Sequence, residues 1–185
     1  MNELQLTQNY YVCTIHEKDK FPKGFSKTTG ILIIACMIEL YQCKIIDLEN
    51  KNYVKLVNPL PDEQKYLSSI YDYLVKKGKC KIATLVAYFN ITMPKYKNII
   101  INEIIQSLPK EVDIDIIIEK IRKEILGDKA VSTDYSILIM LLYHNDVLKS
   151  YFSEVENNTL DKKLEEIKKS PEYLEFIRIS ETIAK

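Results

Sequence analysis

Two stretches of this chain constrain its fold more than any other feature. Ile31 to Tyr41 is apolar on all sides of a helix, and Ile137 to Tyr143 is a second strongly apolar segment. A helix that is hydrophobic all round belongs in an interior. The two are expected to pack together as the dry centre of a helical body. The longest apolar run, Ile31 to Ile38, is stopped by Glu39, far short of the ~20 residues a bilayer span requires. A transmembrane segment is therefore not expected.

The remaining pattern is mostly helical. Leu4 to Ile15 suggests an opening helix, with a strand as the alternative. His16 to Ser26 is polar, holds a Pro and a Gly, and fits a loop. Ser26, Thr28 and Thr29 offer N-cap oxygens ahead of the first apolar helix. The period then changes to two. Lys44 to Glu49 and Tyr53 to Val57 flank Asn50-Lys51-Asn52, which predicts a β-hairpin. Asn58-Pro59-Leu60-Pro61 ends it, and Asp62 is placed to cap a helix with apolar positions at Tyr66, Leu67, Ile70, Tyr73 and Leu74. Gly78 suits the position just past that helix. Further helices are expected over Ile82 to Phe89, Pro94 to Leu108, Ile114 to Ile125 and Leu160 to Lys168. A last one is expected from Ser170-Pro171-Glu172. The fold class expected is mainly α: one globular helical domain over residues 1–185, around a central buried helix, with one small β-hairpin.

Composition narrows the function. At 185 residues the chain can bury a core without disulfides or metals. Lys+Arg and Asp+Glu are equal at 26 each, which lacks the basic excess that drives non-specific nucleic-acid binding. Abundant Lys, Ile, Asn and Tyr fit the bias of an AT-rich bacterial genome. Cys13, Cys36, Cys43 and Cys80 form no C-x-x-C pair, so a reducing cytosol is expected. The opening residues lack a secretory pattern. His16 and His144 have no zinc-ligand spacing, and no P-loop or dinucleotide fingerprint is present. His144 fits a capping or half-buried role. Asp115 and Glu119 fit a solvated face beside the Ile stripe. Neither enzyme, metal site nor cofactor is expected. Two lysine groups stand out instead: Lys76, Lys77, Lys79 and Lys81, and Lys95 and Lys97 around Tyr96. Lys20, Lys23 and Lys27 also surround Phe21 and Phe25. Lysines interleaved with aromatics suit phosphates or an anionic membrane surface.

The order of these parts resembles the Golgi phosphoprotein 3 family. The likeness is carried by the opening Leu4 to Val12, the helix ending Cys36-Met37-Ile38-Glu39-Leu40, and the hairpin entry Cys43 to Leu48. The Pro-rich step Asn58 to Asp62 and the late apolar helix Ile137 to Leu148 complete it. Together they span most of the chain. The resemblance implies a largely helical fold around a buried helix, and peripheral membrane association. Eukaryotic members bind phosphatidylinositol 4-phosphate on the Golgi face and hold glycosyltransferases by their cytosolic tails. In them a loop aromatic and several arginines contact the headgroup. The family's aromatic falls near Gly24 or Phe25, with Phe25 standing in for it; one arginine falls near Ile33, and a later pair near Lys97 and near Met93 or Pro94, where Lys95 substitutes only by a shift of register. The family's hydrophobic hairpin is replaced here by Pro109 to Asp113, as in a shortened bacterial member.

The resulting expectation is a non-enzymatic, cytoplasmic binding or adaptor protein. Its partner is an anionic phospholipid headgroup or a protein tail at the inner membrane surface, met through Lys23, Phe25, Lys95 and Lys97. The alternative is a winged-helix-like nucleic-acid-binding regulator, with Lys51 at the hairpin tip.

Overall fold

The computed structural model describes residues 4–14, 27–49, 53–92, 94–171, 173–174 and 177. The loop ahead of the central helix, with Lys23 and Phe25, and the hairpin tip, with Lys51, lie outside them.

Helix α1 spans Leu6–Thr14 and α2 spans Lys27–Gln42. Every residue of α2 from Thr29 to Leu40 is buried, as an all-round apolar helix requires. The helix begins one turn earlier than the apolar run suggests, so Thr28 and Thr29 lie inside its first turn instead of capping it. Thr28 uses its hydroxyl to reach Asn145 Oδ1 at 2.9 Å. Gly30 lets α2 approach its neighbour closely, since a Cβ there would meet Asn90 Nδ2 at 3.1 Å.

The hairpin forms as expected, from β1 (Ile46–Glu49) and β2 (Tyr53–Leu56). A third strand, β3 (Lys79–Lys81), pairs antiparallel with β2, giving the sheet order β1-β2-β3. Between β2 and β3 a 3-10 turn, Asp62–Leu67, runs into α3, Ser68–Lys77. Asp62 therefore lies in the first turn of that 3-10 segment rather than at its cap. Gly78 ends α3 with φ of 70°, a left-handed conformation glycine adopts without cost. Then come α4 (Ile82–Ala87), a π turn (Tyr88–Thr92) and α5 (Pro94–Ser107).

Asp113 caps α6 (Ile114–Leu126) by accepting from the Asp115 N–H at 2.9 Å. The second apolar helix, α7, spans Thr133–His144 and is buried from Ser136 to Leu142. It packs on α2, and α1 contacts both of them as well as α5 and α6. The dry centre is thus three helices rather than two. A 3-10 turn, Leu148–Tyr151, leads to α8, Glu154–Ile167. That helix starts at a reciprocal cap between Ser153 and Glu156, earlier than its apolar residues alone indicate. Arg122 joins α6 to α8 by its ion pair with Glu156 and by donating to the Tyr151 carbonyl at 3.0 Å.

Both central helices stop in the same way without glycine. The Lys44 N–H reaches back to the Tyr41 carbonyl and the Ile45 N–H to Leu40, both at 2.9 Å. At the end of α7 the Asp146 N–H reaches Tyr143 and the Val147 N–H reaches Leu142, at 3.0 and 3.2 Å. Lys44 and Asp146 take positive φ, 56° and 62°, which satisfies the last carbonyls by the Schellman pattern.

Candidate functional site

Alternation along the sheet sorts its side chains. Ile46, Leu48, Val54 and Cys80 point into the core, while Asp47, Lys55, Lys79 and Lys81 face outward. The register sets Tyr53 opposite both Glu49 and Lys81, and Lys55 opposite both Asp47 and Lys79. Residues distant in sequence thereby form one outer face. Glu49 bridges Lys55 at 3.1 Å and Lys79 at 2.6 Å. Hydrogen bonds from Lys79 and then Lys55 hold its carboxyl below the usual range. Lys79 Nζ lies 5.0 Å and Lys81 Nζ 5.7 Å from the centre of the Tyr53 ring, within cation–π reach.

A second lysine–tyrosine pair lies at the end of α3. Lys77 Nζ sits 5.9 Å from the Tyr73 ring centre, and Tyr73 packs on Tyr88 at 4.4 Å. Tyr73, Lys77, Ala83, Thr84, Ala87 and Tyr88 line a shallow groove of about 500 Å³. Lysines outnumber carboxylates over this surface, and the half-buried Tyr53 and Tyr88 supply apolar rings with polar edges. Such a surface can hold phosphate-type anions.

The expected site residues divide. Lys23 and Phe25 lie outside the described residues. Lys95 falls in the first turn of α5. Lys97 is buried, at 4% exposure, and engaged within the protein. Its position explains this. Residues 97, 100, 101 and 104 form one stripe of α5, and Ile100, Ile101 and Ile104 are core residues. Lys97 is thus on the inner stripe and does not present an open cation, contrary to the sequence expectation. The other lysine group, Lys76 to Lys81, does lie at the surface. Tyr53, whose ring organises Lys79 and Lys81, was legible only as a strand residue.

One carboxylate belongs to the core. Glu39, 2% exposed, accepts from the Thr7 N–H at 2.8 Å and from the Tyr66 hydroxyl. Burial raises its carboxyl above the ordinary range, and the bonds from Tyr66 and Thr7 partly offset this. Thr7 lies in the first turn of α1, whose open N–H groups call for an acceptor. Glu39 therefore caps α1 from α2 while Tyr66 ties in the 3-10 turn. All four thiols are pushed up by burial, Cys13 to about 12, the opposite of a reactive thiolate. His144 is half-buried in the last turn of α7, and burial, then Lys27 and Lys168, lowers its pKa. Asp115 and Glu119 border a shallow depression of about 340 Å³ with Ile116, Lys120 and Lys123. Among the described residues no His, Cys, Asp and Glu side chains gather as a metal site, and no helix is long and apolar enough to cross a membrane.

No family model, curated protein or solved structure matches the chain.

Proposed function

We propose that this chain is a non-enzymatic binding or adaptor protein, a shortened member of the Golgi phosphoprotein 3 type, that docks on anionic phospholipid headgroups. The observation that supports it is the lysine–tyrosine face of the sheet, Lys55, Lys79 and Lys81 about Tyr53, with exposed Lys77 at the end of α3. A lysine near an anionic leaflet contributes about 1 kcal/mol, and tyrosine suits the headgroup level. Binding here is superficial, by charge and ring edges, with no spanning element required. Lys23, Phe25 and Lys95 belong to the same proposal as a second contact.

Co-sedimentation with phosphatidylcholine vesicles of graded phosphatidylserine content tests this reading. Binding should rise with the anionic fraction and fall with salt. Replacing Lys79 and Lys81 together by Ala should weaken it by about 2 kcal/mol, roughly thirtyfold. A separate Lys23→Ala, Phe25→Ala, Lys95→Ala variant measures the second contact. Binding that ignores lipid charge, or survives both sets of replacements, rejects the lipid partner and leaves a protein tail as the ligand to seek.

One observation favours the nucleic-acid alternative: β3 joins the hairpin, so α3 and α4 stand beside a wing-like sheet. Against it, the described outer residues of α5, from Asn98 to Gln106, include no cation to meet phosphate. Gel retardation at low salt separates the two, and no retardation there removes this alternative.

A further inference from the structure

We draw no further inference here: the strongest candidate, the exposed face of α5 formed by Asn98, Ile99, Asn102, Ile105 and Gln106, carries nothing because nothing in the structure shows what covers it.

Discussion

Glu39 lies inside the protein, where it accepts from the Thr7 N–H and the Tyr66 hydroxyl. Glu49 lies on the outer sheet face opposite Tyr53, bridging Lys55 and Lys79. Both are glutamates near a tyrosine, and solvent separates their roles. Inside, a polar group left without its partner bears its full desolvation cost, so Glu39 is held by the fold and holds it in return. Outside, water competes for every contact and an ion pair adds little. The lysines that Glu49 engages can therefore exchange it for another anion at small cost. The difference teaches where to look for function: the buried carboxylate is a structural joint, and the surface carboxylate is the one placed to meet a partner.

Glu39→Ala should have the largest effect. It leaves the Thr7 N–H and the Tyr66 hydroxyl buried without their acceptor, which costs about 3 kcal/mol. The midpoint of chemical denaturation, followed by circular dichroism, measures it. A loss under about 0.5 kcal/mol, the scale of an ordinary surface change, would erase the contrast with Glu49. Glu39→Gln should cost less, about 1 kcal/mol, because the amide oxygen still accepts one of the two bonds.

The same pair of proteins carries a pH signature. Burial raises the Glu39 carboxyl in the native state, so the folded protein binds that proton more tightly than the unfolded chain does. The stability this gives is complete below the unfolded value of about 4.3 and is lost as pH rises through the native value. Glu39→Gln lacks the titrating group. The parent's advantage over it should therefore shrink as pH rises from 4 towards neutrality. Acidic groups held low, such as Glu49, slope the other way in both proteins and cancel in the difference. A gap that widens with pH would reverse the assignment.

Lys79→Ala with Lys81→Ala should move the melting midpoint hardly at all, since surface changes away from special features stay within about 0.5 kcal/mol. The same protein should show the loss of vesicle binding described above. If it unfolds instead, the outer face is as structural as the Glu39 joint.

How far these features could be read from the sequence follows from the distance over which each is determined. The apolar helices α2 and α7 are local: their residues are greasy on all sides and need no knowledge of a partner. The amphipathic α6 is equally local, its Ile117, Ile121 and Ile125 recurring at helical spacing. The start of α8 was also written locally, as Ser153 three residues before Glu156, a capping-box spacing, but the apolar stripe drew the boundary later. Lys97 is similar. Its spacing to Ile100, Ile101 and Ile104 places it on an inner stripe, yet its charge suggested a surface. Strand β3 is different in kind. Three residues with one buried side chain, Cys80, carry no period, and only pairing with β2 makes them a strand. The lysine–tyrosine face depends on that pairing, so lysines visible as a cluster could not be joined to Tyr53 beforehand. Glu39 is an intermediate case. One charge in an all-apolar helix announces a need for partners, but those partners, 32 and 27 residues away, come from other elements.

Glu49→Gln makes the contrast sharpest, because it is the same chemical change as Glu39→Gln in the opposite surroundings. Glu49 is exposed enough that its loss should leave the melting midpoint within the noise of a surface substitution. What changes is the charge offered to a partner. With the carboxylate gone, Lys55 and Lys79 keep their positions on adjacent strands but lose their internal anion, and the face becomes more basic by one unit. Partitioning to vesicles rich in phosphatidylserine should then tighten about fivefold, and the gain should fade as salt is raised. Glu39→Gln, by contrast, should lower stability and leave vesicle binding per folded molecule as it was. Weaker binding by Glu49→Gln would mean that the carboxylate arranges the lysines for their ligand rather than competing with it. The face would then be a built receptor and not a mobile cationic surface.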